Sequence, residues 1–130
     1  MASAGSDTAP ANQTNGPVAG EVSRAVVRAF AQHLGRGPTK ARTVIGPGLV
    51  TVVLNDTLTS FERTLLASDG PAPVVEVRRR LHEAIRDDLA AAVEQIVGHP
   101  VLAVMSDHRP DLDVCVVVFL LEREPDAVAR

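Results

Sequence analysis

The chain has 130 residues, a formal net charge of −3 and 45% apolar residues. That size and composition suit one globular domain with a modest core and exclude a wholly disordered chain. The acidity argues against general nucleic-acid binding, and three phenylalanines without Trp or Tyr leave too few stacking surfaces for single strands.

Cys115 is the only cysteine, so an internal disulfide is impossible and a structural zinc site of the multi-Cys kind is excluded. The longest apolar runs fall far short of the ~20 residues of a membrane helix. Residues 1–17 lack the basic start and apolar centre of a signal peptide. The protein is therefore expected in the cytoplasm, without direct membrane insertion.

Residues 1–17 are rich in Ala, Ser, Asn, Thr, Pro and Gly and show no periodicity, which predicts a disordered tail. From Val18 the apolar positions Val22, Ala25, Val26, Ala29, Phe30 and Leu34 recur at helical spacing. Gly35 suits the left-handed position that ends a helix, and Pro38 blocks continuation. Thr39 to Ile45 and Leu49 to Leu54 read as strands joined by the Gly46-Pro47-Gly48 turn. Thr59 or Ser60 is placed to cap a short helix to about Ala67, with Glu62 or Arg63 exposed. A break at 68–71 precedes a long helix from about Ala72 to Val97. Its apolar stripe is Val74, Val77, Leu81, Ile85, Leu89, Ala92, Val93 and Ile96.

Val101 to Ser106 reads as a third strand, 107–112 as a polar loop and Asp113 to Leu121 as the fourth strand. Residues 114–121 are eight apolar residues in a row, mostly β-branched. A strand with one wet face would alternate, so both faces of this one should be covered. The order is α-β-β-α-α-β-β. It predicts an α+β fold, a two-layer sandwich in which a four-stranded antiparallel sheet carries helices packed on one face. The single domain spans 18–122, and 123–130 form a charged tail.

Few residues suggest chemistry. Gly35-Arg36-Gly37-Pro38-Thr39-Lys40 superficially resembles a phosphate loop, but it follows a helix and leads into a strand, and a helix C-terminus repels phosphate. The segment from Glu21 to Arg42 is basic: Arg24, Arg28, Arg36, Lys40 and Arg42 face Glu21 alone. Those five residues are the candidate site for a phosphate, a bicarbonate-like anion or an acidic partner. Arg78, Arg79 and Arg80 point about 100° apart on a helix and read as a solvated face. The carboxylates and histidine of 107–113 lack calcium-loop spacing, and His33, His82 and His99 are scattered. No metal, no cofactor and no catalytic constellation is expected. Cys115 should be a buried, inert core residue.

Gly35-Arg36-Gly37-Pro38, followed by Lys40-Ala41-Arg42-Thr43, then the Leu49–Leu54 strand leading to Leu58-Thr59, carry a family resemblance. So do the helix start at Val77–Leu81 and the strands Val101–Asp107 and Val114–Leu121. On these stretches the chain resembles the MpsC-like family, bacterial domains associated by name with a Na+-translocating membrane potential-generating system. The resemblance implies membrane-protein partners linked to cation or inorganic-carbon uptake, and that Gly35, Arg36, Gly37 and Pro38 matter. It implies no catalytic residues.

These readings converge on a non-enzymatic accessory or regulatory protein acting through self-association and protein contacts. The apolar surplus of two strands points to a homodimer. The alternative is a small-anion or nucleotide-binding module using the basic segment.

Overall fold

The computed structural model describes residues 16–122. The tails expected up to residue 17 and after residue 122 lie outside the described residues, except that Gly16 and Pro17 start the first helix.

Helix α1 (Pro17–Leu34) begins on a proline whose missing N–H would have no partner there, and buries Ala19, Val22, Ala25, Val26, Ala29 and Phe30. It ends on Gly35 at φ 81°, whose N–H donates to the Ala31 carbonyl. Strands β1 (Lys40–Gly46) and β2 (Leu49–Asn55) form the first hairpin. Helix α2 (Ser60–Asp69) starts with a reciprocal cap. The Glu62 N–H donates to Thr59 Oγ1, and the Thr59 N–H donates to the Glu62 carboxylate. Helix α3 (Pro71–Val97) follows directly, about 40 Å long at 1.5 Å per residue. Strands β3 (Val101–Arg109) and β4 (Val114–Leu121) close the chain as a second hairpin.

The two hairpins join through β2 and β4, so the antiparallel sheet runs β1-β2-β4-β3. This is the expected α+β sandwich. One sheet face supplies Val50, Val52, Leu54, Cys115, Val117 and Phe119 to the core, where they meet Val22, Val26 and Phe30 of α1 and Ile85, Leu89 and Val93 of α3.

The long helix departs from its expected stripe. Its buried residues are Val74, Arg78, His82, Ile85, Leu89 and Val93, while Val77 is 46% exposed. Strand β3 also outruns its expected end. Asp107, His108 and Arg109 pair with Val116, Cys115 and Val114, so the polar loop shrinks to the turn at 110–113. An edge strand tolerates such residues because only one of its flanks must be satisfied by the sheet.

Candidate functional site

The most buried charged side chain is Arg78, with no exposed surface. Its place on α3, one turn after Val74 and one before His82, points it inward beneath α2. There it meets Glu62, only 4% exposed; of the two residues expected at the surface of this helix, Arg63 is the exposed one, its side chain 52% accessible. Arg78 Nε donates to Glu62 Oε2 at 2.7 Å, and Nη2 donates to Glu62 Oε1 at 2.8 Å and to the Thr57 carbonyl at 2.6 Å. Burial pushes the Glu62 carboxyl up. Hydrogen bonds from Arg78 and Thr59 and the Arg78 charge outweigh it, leaving the pKa below the ordinary carboxylate value.

A polar cluster surrounds this pair. Asp113 Oδ1 accepts from the N–H groups of Thr57 and Leu58 and from the Thr57 hydroxyl. Asp56 and Asp113 both adopt positive φ, 60° and 52°, and are joined by the Asp56 N–H donating to the Asp113 carbonyl. Asp tolerates this region better than most side chains. Arg63 bridges the two carboxylates, at 2.8 Å from Asp56 and 3.5 Å from Asp113.

Two histidines lie beside Arg78. His82 Nδ1 is 2.8 Å from Ser106 Oγ, and its Nε2 is 3.6 Å from Cys115 Sγ. Burial, reinforced by the Arg78 charge, lowers its pKa to about 4. Burial likewise lowers that of His108 and raises the Cys115 thiol to about 12. Arg78, His82, Ser106 and His108 line a pocket of about 320 Å³ between α3 and β3.

The five residues of the basic segment are spread over both layers. Arg24 and Arg28 are exposed on α1. Thr43 is buried and its hydroxyl meets Ser23 on α1, so strand alternation puts Lys40 and Arg42 on the opposite sheet face. Arg36 is half-buried. Its Nη1 donates to the carbonyls of Asp56 and Leu58 at 3.0 and 2.9 Å, and its Nη2 pairs with the Asp56 carboxylate. The Gly35-Arg36-Gly37-Pro38 stretch thus ends α1 and clips it to the polar cluster. At Gly37 a Cβ would come within 3.0 Å of Val27, so this loop packs closely on the helix.

The sheet face away from the helices is mostly apolar along its middle strands and carries charged residues at its two edges. One row across it reads Arg42, Val53, Val116, Asp107, and the next Val44, Thr51, Val118, Met105. Leu49, Leu120 and Met105 are 37%, 38% and 50% exposed. Among the described residues no helix packs on this face.

Sequence reasoning missed Arg78 and Glu62. The spacing 74, 78, 82, 85, 89, 93 is a helical stripe that includes both Arg78 and His82, and Thr59 with Glu62 three residues later is a capping-box signature.

Together these features define a two-layer α+β domain with a buried ion-pair hub, a polar pocket and a bare apolar sheet face. Among the described residues no helix is long and apolar enough to cross a membrane. The chain belongs to the MpsC family: the family model described as "Na+-translocating membrane potential-generating system (MpsC)" matches residues 14–123. No curated protein and no solved structure matches the chain.

Proposed function

We propose that this chain is a non-catalytic accessory subunit of the membrane system its family is named for, and that it works through protein contacts as a twofold dimer. The observation that carries this reading is the bare sheet face. A monomer rarely exposes a contiguous apolar face of this kind. The occupant it fits is a second copy, because one row of the face is self-complementary in charge. In the adjoining row, Lys40, Asn55, Val114 and Arg109, the Arg109 charge is already paired with Asp111. The first row has Arg42 at the β1 edge and Asp107 at the β3 edge. Three strand spacings, roughly 14 Å, keep these two apart within one sheet. A twofold axis parallel to the strands sets β1 of one copy over β3 of the other, and Arg42 then meets Asp107 of the second copy across the valines.

Two features support a non-catalytic role. The only thiol, Cys115, is buried with its pKa near 12, and His82 is held neutral in the core. Neither is poised as a nucleophile or base.

The test is Val118→Arg, which puts a charge at the centre of the face. The reading expects the full-length wild type to run as a dimer in light scattering and the variant as a monomer with unchanged circular dichroism. A variant that keeps the wild-type mass contradicts it.

A further inference from the structure

Two buried polar atoms between α3 and β3 have opposite needs. Arg78 Nη1 and His108 Nδ1 have no hydrogen-bond partner among the described residues. Their side chains line the same pocket of about 320 Å³, and the two residues are 0% and 5% exposed. Arg78 Nη1 can only donate.

The need of His108 follows from its neighbours. Its Nε2 lies 3.3 Å from Thr57 Oγ1. The Thr57 hydroxyl has one proton and donates it to the Asp113 carboxylate at 3.2 Å, a charged acceptor. Thr57 Oγ1 therefore accepts from the His108 Nε2–H. Nδ1 is then a lone-pair acceptor in the neutral ring, the form that burial and the Arg78 charge favour.

The pocket wall thus holds an unpartnered charged donor and an unpartnered acceptor, both almost fully buried. An oxyanion without a proton satisfies the first and is repelled by the second. A single water molecule meets both needs but leaves most of a pocket of about 320 Å³ unfilled. Arg86 lines it as well, which favours an anion, while Arg79 is already paired with Glu76 and Glu83, which limits the charge that the ligand carries.

We propose that this pocket binds a small, singly charged oxyanion that keeps a hydroxyl, of which dihydrogenphosphate is the simplest. An ionised oxygen accepts from Arg78 Nη1–H, and the ligand's hydroxyl donates to His108 Nδ1. The site is separate from the bare sheet face, so it stands or falls independently of the dimer.

The test follows the histidine ring nitrogens of the full chain by NMR during titration with inorganic phosphate. Sulfate, of similar size and shape but without a proton, is the control. Phosphate moves the His108 Nδ1 resonance saturably, and sulfate binds at least tenfold more weakly, because a site built around a hydroxyl rejects an analogue lacking it. His108→Phe keeps a ring of similar bulk, and there phosphate binding falls at least tenfold and the preference over sulfate is lost. Equal affinity for the two ions overturns the proposal, as does movement confined to His33 and His99, which would mark an adventitious ion only. If His108→Phe does not fold, the wild-type comparison of the two ions decides by itself.

Discussion

Arg78 and Glu62 meet edge to edge, Nε to Oε2 at 2.7 Å and Nη2 to Oε1 at 2.8 Å, with side chains 0% and 6% exposed. The same carboxylate caps α2 through the Thr59 N–H. One acid therefore ties the start of α2 to the middle of its neighbouring helix, and one base ties both to the Thr57 carbonyl. Removing either partner strands the other without water.

Arg78→Met is expected to destabilise the fold by about 3–5 kcal/mol, the usual consequence of leaving a buried charge unpaired. Glu62→Gln should cost less, because the amide still accepts a hydrogen bond from Arg78. The double variant Arg78→Met/Glu62→Leu should recover part of the loss. Urea unfolding of the three variants tests this order. Equal stability of Arg78→Met and the wild type would show that the pair is dispensable.

Stability should fall as pH drops through the window from about 6.5 to about 4. His82 takes up a proton near 6.5 when unfolded but only near 4 when folded. Between those values the unfolded state binds more protons, so stability rises with pH there. The upper limit of this effect is about 3 kcal/mol. His108, also lowered, adds in the same direction. Glu62 acts lower: its folded pKa is depressed, so its stabilisation is present above 4.5 and is lost as pH falls through the folded value. Thermal unfolding against pH should show the slope, and His82→Phe, which keeps a ring against Phe30, should flatten it.

The loop after α1 should behave as a clip. Arg36→Ala removes two donations to carbonyls, those of Asp56 and Leu58, and should destabilise by about 1–2 kcal/mol. Gly35→Ala forces a side chain to φ 81° and should cost about 1 kcal/mol. Denaturant midpoints measure both. An unchanged midpoint for Arg36→Ala would free that residue for another role.

Much of the fold was legible because its signals are local. Gly35 and Gly98 mark the ends of α1 and α3 at φ 81° and 78°. Thr59 was a candidate cap and is the cap. The unbroken run from Val114 to Leu121 marks a strand, and β4 lies between β2 and β3. Its implication that both faces are covered is met on the helix side, while the other face is bare among the described residues. The site was harder to read. The charge of Arg78 points to solvent, although its spacing from Val74 and His82 puts it on the inward stripe. Its partner Glu62 is 16 residues away in another helix, and no local pattern encodes that pairing. The polar run around His108 reads as a loop. The pairing of His108 with Cys115 depends on the hairpin register.

The charge row predicts a reciprocal pair across the dimer. Arg42→Glu should weaken association about tenfold by setting like charges together. Adding Asp107→Arg should restore most of it, since the pair is then reversed rather than lost. Sedimentation equilibrium on the single and double variants distinguishes this from a general effect of surface charge, which would make the double variant no better than Arg42→Glu.

The most direct test of the account is the mass of the full-length wild-type chain in solution at micromolar concentration, by light scattering with refractive-index detection, since Trp and Tyr are absent. The account predicts twice the 13.7 kDa of one chain. A mass of one chain at every concentration tested would contradict it, and the bare face would then have to be covered by something other than a second copy.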